Sequence, residues 1–275
     1  MDTTTTATAP QAPAAAATEA DATAARETTA PAAPSAPTAQ SAPTAQSAPA
    51  VPARRVAGVL AVRPLLILAL GLVLLGANLS LMYANALVVM VDVIALATVA
   101  VAMRAEGKRL RDLFGPFRWL DLAWGALLLV ILTVGFFVSN FAANLIVYGG
   151  APPVATGPAS SIPLWVGLIA FLIAPLTIAL SEEAVYRGYA QPRLQRHLGR
   201  IGALVLVAVV FAVQHVGFSL SSGPDIAAKV LTTLFAGLIL GGLWLWMRRL
   251  IPLVLAHWGL DLLFLGLPTL AIALL

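Results

Sequence analysis

The stretch Ile162–Ser181 reads IPLWVGLIAFLIAPLTIALS without one charged residue, and Glu182-Glu183-Ala184-Val185-Tyr186-Arg187 follows at once. An uncharged helix of about 20 residues crosses roughly 30 Å of hydrocarbon. A carboxylate near the centre of such a helix costs roughly 2.5–3.5 kcal/mol on insertion scales, so acids found there point to function. Two in succession, each with polar neighbours one turn on, imply a polar cavity inside a membrane. The fold class expected from this stretch is all-α, a polytopic transmembrane helix bundle.

Composition carries the same message across the chain. Of 275 residues, 60% are hydrophobic and only 10% charged, against about 25% charged in soluble domains. Mean hydropathy is +0.93. There is no cysteine, which removes disulfide and thiolate chemistry and leaves the redox compartment unread. A net charge of +4 raises the question of nucleic acid, but the placement of the basic residues answers it. Of sixteen Lys and Arg, fourteen form four groups beside apolar spans. These are Arg54, Arg55, Arg63; Arg104, Lys108, Arg109, Arg111, Arg118; Arg187, Arg193, Arg196, Arg200; and Arg248, Arg249. All four share one side if the N-terminus is cytoplasmic, with Lys229 opposite, as the positive-inside rule requires. The expectation is a multi-pass protein of the cell membrane, with the bilayer and not nucleic acid as its partner.

Residues 1–53 are dominated by Ala, Thr, Pro, Ser and Gln, with Ser35–Gln40 repeated as Ser41–Gln46. Such a segment cannot bury enough apolar surface to offset chain entropy and is expected to be disordered. It lacks the basic start and apolar core of a signal peptide. Residues 54–148 read as N-terminal transmembrane helices and 149–275 as the functional core. About seven spans emerge: 64–78, with a start near Val56 also open, 86–103, 119–148, 163–189, 201–220, 226–247, and 250 onward. An eighth or a re-entrant segment stays open around Gly76–Ala86. Gly237-x-x-x-Gly241 permits close helix packing, although glycine is simply frequent in membrane helices.

The ionisable residues left inside the spans are Asp92, Glu182, Glu183, Arg187, His215, His257 and Asp261. Glu183 and Arg187 share a helix face four residues apart, as do Glu182 and Tyr186, and His257 and Asp261. His215 lies one turn after Phe211, with Gln214 beside it. Gathered together, these groups satisfy one another and hold water. A carboxylate beside a histidine takes a proton from water and passes it to a leaving group. Glu183, within pairing reach of Arg187, is read as the permanent anion and Glu182 as the proton acceptor. A second histidine donates to a developing oxyanion. This is equipment for hydrolysing an amide bond with activated water. His-Glu-x-x-His is absent from the sequence, so the usual sign of a zinc protease is missing. Asp92 is read as structural, with no partner named. Drawn from the span ends, His257 lies about 10 Å and His215 about 21 Å deep. They meet only if span five tilts or starts outside the membrane.

Three motifs carry a family resemblance: Glu182-Glu183-x-x-x-Arg187, Phe211-x-x-x-His215 and His257-x-x-x-Asp261. In that order on successive helices they resemble the CPBP family of intramembrane proteases, the CAAX-processing and bacteriocin-processing group. The resemblance runs from Pro163 to the C-terminus. It implies a membrane endopeptidase acting on a peptide or membrane-anchored protein. Within it Glu182 is the general base and His215 holds water. His257 and Asp261 stabilise the oxyanion, and Glu183 with Arg187 orders the site. No cofactor is expected, although Glu182, His215 and His257 have the makings of a zinc set. Asp261 departs from the pattern, where asparagine is common. An ionised aspartate repels an oxyanion, so Asp261 must be protonated, orient His257 or face away. Two rival readings stay open. Buried Glu, His and Arg also build proton-coupled transporters, and a non-catalytic scaffold or immunity protein would keep the same fold. Oligomeric state is not encoded legibly.

Overall fold

The computed structural model describes residues 51–153 and 161–275; the expectation for the N-terminal tail falls, up to position 50, outside the described residues. Regular structure among the described residues is helical, without a strand. The described residues belong to one compact unit. Its helices are α1 (Ala53–Gly76), α2 (Ala84–Arg104), α3 (Leu120–Tyr148), α4 (Leu164–Leu172) and α5 (Ala174–Glu182). They continue with α6 (Gln191–Gln214), α7 (Gly223–Met247), α8 (Leu250–Asp261) and α9 (Leu267–Leu274). Two π-helical segments interrupt this order, Glu183–Ala190 between α5 and α6, and Leu262–Gly266 between α8 and α9.

The distribution of polarity is that of a membrane protein. Large apolar side chains point outward all along the spans, such as Leu65, Met90, Phe141 and Leu172, while Arg63, Asp92, Glu182, Glu183 and Arg187 are buried. Among the described residues, six helical stretches are long and apolar enough to cross a membrane. One of them, Ala174–Phe218, is 45 residues long and contains a non-helical residue, Gly199 (φ 71°, ψ 177°). Gln214 nevertheless donates to Glu182 over 2.9 Å. In a straight helix these residues would stand about 48 Å apart at 1.5 Å per residue. The chain therefore folds back, and Gly199 supplies the left-handed φ that the turn needs. One stretch becomes two limbs, so the apolar limbs among the described residues number seven, and the molecule is a multi-pass integral membrane protein. Between Gly76 and Ala84 the chain makes a single turn with a short 3-10 helix, Leu81–Tyr83, and no further span.

Polar contacts tie the ends of the bundle. Arg193 pairs with Glu106 at 2.5 Å and Arg249 with Asp121 at 2.7 Å, which brings three of the four basic groups to one end. At the other end Tyr148 donates to Asp225, and the Ser222 hydroxyl caps α7 by accepting from the Asp225 N–H at 3.2 Å. Arg63 corrects the sequence reading. It was grouped with Arg54 and Arg55 as a flanking charge, yet it sits within α1 and is 1% exposed. The uncharged run 56–62 before it already belongs to the helix, so of the two starts open in the sequence the earlier one, near Val56, describes the span.

Glycines bring α1, α6 and α7 together. On α7, a Cβ at Gly237 would lie 3.2 Å from the Cα of Ala208 on α6, so the Gly237-x-x-x-Gly241 stripe does pack closely. Gly71 of α1 abuts the backbone of Gly217, and a Cβ on Gly217 would lie 2.5 Å from the Ile67 carbonyl oxygen. Backbone meets backbone there, with no side chain able to yield. Gly71→Ala is expected to force α1 away from the turn that carries His215, at a cost of about 1–3 kcal/mol. Thermal unfolding in detergent should show a lowered midpoint.

Candidate functional site

The helices enclose a cavity of about 370 Å³, whose walls include Arg63, Glu182, His215, Lys229, His257 and Asp261. Glu182 ends α5 and Glu183 opens the π-helical segment. Such segments widen the helix by one residue per turn and concentrate at functional sites. Here the two neighbouring glutamates face different partners. Glu182 borders the cavity, and Glu183 is fully buried behind it.

Glu182 is held by one oxygen. Its Oε1 accepts from Arg63 Nη1 at 2.5 Å and from Gln214 Nε2 at 2.9 Å. Its Oε2 is buried and has no hydrogen-bond partner. That oxygen lies 3.6 Å from His257 Nε2. Gln214 is itself fixed, because its Oε1 accepts from Arg63 Nη1 at 2.6 Å and from the Tyr186 hydroxyl at 2.6 Å. Behind Arg63 stands Asp92, whose Oδ1 accepts from Arg63 Nε at 3.0 Å and Nη2 at 2.8 Å. Ser181 donates to the same oxygen at 2.6 Å, and Thr177 donates to Oδ2 at 2.9 Å. Thr177 and Ser181 are four apart on α5, so one face of that helix grips Asp92.

Glu183 meets the other nitrogen of His257. Its Oε1 accepts from Arg187 Nη1 at 3.3 Å and contacts His257 Nδ1 at 2.9 Å. Arg187 also donates to the Gly237 carbonyl at 3.3 Å, and its guanidinium lies 4.5 Å above the Phe211 ring. Phe211 thus serves as a cation–π platform, and its ring centre is 4.9 Å from that of His215. The aromatic residue of the second motif therefore links Arg187 to His215.

Partner chemistry fixes the imidazoles. His215 Nδ1 lies 2.7 Å from the Phe211 carbonyl. A carbonyl only accepts, so Nδ1 carries the proton and a neutral His215 offers the Nε2 lone pair. His257 Nδ1 likewise donates to the Glu183 carboxylate, which turns Nε2 towards Glu182 and Asp261. Asp261 Oδ2 lies 3.6 Å from that nitrogen and has no hydrogen-bond partner. Asp261 does not face away. It lines the cavity beside His257. His215 and His257 border the same space despite their unequal depths, because α6 breaks at Gly199 and ends in a 3-10 turn, His215–Phe218.

All six residues singled out by the motifs gather here, with Glu183 and Arg187 one layer behind the cavity wall. Arg63 was missed, and Asp92 was noticed without its partner. The available signal was a charge interrupting an apolar run on each of the first two helices. Among the described residues no three His, Asp or Glu side chains are disposed to hold a metal ion, and Glu182 Oε1 is committed to a guanidinium.

Residues 161–263 match the family model described as type II CAAX prenyl endopeptidase, Rce1-like. The match bears out the resemblance read from the three motifs. It spans under half of the chain and contains all six motif residues, but neither Arg63 nor Asp92. The comparisons with curated proteins and with solved structures returned no match.

Arg187 is expected to be needed for folding. Removing one partner of a buried ion pair costs about 3–5 kcal/mol, because the other charge is left alone. Arg187→Met should lower the thermal midpoint and the yield of folded protein. Adding Glu183→Gln should recover part of the loss, read by the same unfolding measurement.

Proposed function

We propose that the protein is an intramembrane endopeptidase that hydrolyses a peptide bond with water activated by Glu182. One observation carries this reading. A buried carboxylate has one oxygen fully engaged and the other free, 3.6 Å from His257 Nε2 at the wall of a cavity. No water fits in line between the two atoms, so the attacking water in this reading sits to one side of the pair and bonds to both. The family model matched by residues 161–263 is described as a type II CAAX prenyl endopeptidase, which supports the same reaction class.

The chemistry follows from the free atoms. Glu182 Oε2 takes a proton from water while the His215 Nε2 lone pair accepts water's second hydrogen. The hydroxide oxygen adds to the scissile carbonyl carbon, and the C=O π electrons move onto oxygen. His257, protonated on both nitrogens for this step, donates Nε2–H to that oxyanion while Glu183 holds Nδ1–H. Glu182 then gives its proton to the leaving nitrogen as the C–N bond breaks, and acid and amine products separate. A protonated Asp261 adds a second donor, whereas an ionised one orients His257 by attraction. No step runs through a metal.

The substrate in this reading is a peptide or membrane-anchored protein that reaches the cavity through the apolar surround. The gathering of basic loops at one end supports a cytoplasmic N-terminus in the cell membrane.

Glu182→Gln keeps the shape and the Oε1 contacts but removes the base. General acid–base catalysis contributes about 10²–10⁴-fold, and cleavage should fall by at least that range with the folded state intact. The measurement is turnover of quenched peptides, prenylated and unmodified, by protein in liposomes. Undiminished cleavage by Glu182→Gln would refute the reading, and proton-coupled uptake without proteolysis would replace it by transport. Chelator treatment should leave turnover unchanged, with elemental analysis finding metal well below one equivalent.

A further inference from the structure

We propose that Arg63 and Asp92, on two helices outside the family-matched segment, are positioning residues that aim the Glu182 carboxylate; this rests on the peptidase reading above. The terminal torsion of a glutamate is broad and nearly two-fold. A free carboxylate would therefore exchange its two oxygens and sample several directions. In this protein Oε1 receives a charge-assisted bond from Arg63 and a second bond from Gln214. Such bonds are about twice as strong as neutral ones. Only Oε2 is left without a partner, on a residue that borders the cavity.

Arg63 aims Glu182 because Arg63 is itself immobilised. Two of its N–H groups converge on Asp92 Oδ1, and a third nitrogen serves Glu182 and Gln214. This uses the planar fork of a guanidinium, which an ammonium cannot imitate. Asp92 in turn is gripped by Ser181 and Thr177, which stand on the helix that ends in Glu182. The chain of contacts thus closes on itself, from α5 through Asp92 and Arg63 back to α5. The loop fixes the base relative to α1 and α2 without either residue needing to touch substrate. A guanidinium keeps its charge throughout the reaction, so Oε1 stays bound while Oε2 gains and loses the proton. The loop is buried apart from half-buried Thr177, with Arg63 at 1% and Asp92 at 0% exposure.

The test uses the full-length protein in liposomes with a peptide that it cleaves. Arg63→Lys keeps the charge and loses the fork. Misplacing a reacting group by about 1 Å costs about 100-fold, so kcat should fall by that order with KM unchanged. Ser181→Ala loosens the far side of the loop without removing a charge, and kcat should fall several-fold, again at constant KM. Combined with Arg63→Lys, Ser181→Ala should cost nothing more, because both act through one contact chain. A folded Arg63→Lys with wild-type kcat, or a change confined to KM, overturns the proposal. Should Arg63→Lys not fold, Ser181→Ala decides alone, and wild-type kcat there overturns it. Independent, multiplicative losses assign the two residues to stability and also overturn it. If the wild-type protein cleaves nothing, or Glu182→Gln cleaves as well as wild type, the peptidase reading fails first and this inference falls with it.

Discussion

Much of the structure turns on one guanidinium buried among apolar helices. Arg63 reaches Asp92 on α2, Glu182 at the end of α5 and Gln214 at the end of α6. Hydrocarbon offers no water to satisfy a stray polar group. Each of these side chains is therefore tolerable only because the others are present. The cluster consequently dictates which helices must adjoin, while the apolar contacts around it are less directional. An apolar seam can slide by a turn at modest cost; a bidentate contact to a single carboxylate oxygen cannot.

A second cluster, Glu183 with Arg187 and His257, is arranged on the same principle one residue further along the chain. The π-helical segment lets two consecutive glutamates serve separate networks. One network leaves a carboxylate oxygen bare at a cavity, and the other leaves an imidazole nitrogen bare beside it. Reactive atoms emerge where two saturated networks meet.

The sequence disclosed the helical class, the seven limbs and the six motif residues, because those depend on spacing within a helix or on counting apolar runs. Asp92 was visible as an acid in an apolar span, yet its partner lies on another helix, and spacing along one chain does not report contacts between helices. Arg63 was hidden by a rule that works elsewhere. Basic residues beside apolar runs usually mark the membrane edge, and Arg54 and Arg55 do begin α1. A third arginine so close by joined their group, although uncharged residues lie on both sides of it. The tautomers were out of reach for a different reason. They depend on whether a ring nitrogen meets a carbonyl or a carboxylate, and only coordinates supply that.

The position of the Arg63–Asp92 couple on the first two helices bears on how the polypeptide is made. Domains and hairpins assemble in order of synthesis, the N-terminal parts first. α1 and α2 enter the bilayer before Glu182 has been translated, and their two opposite charges are neighbours in that hairpin. Each neutralises the other during insertion, when a lone ion in lipid would be expelled. The nascent hairpin thus carries a preassembled socket into the membrane, with one guanidinium nitrogen still vacant for the carboxylate that arrives ninety or so residues later, by the order of synthesis.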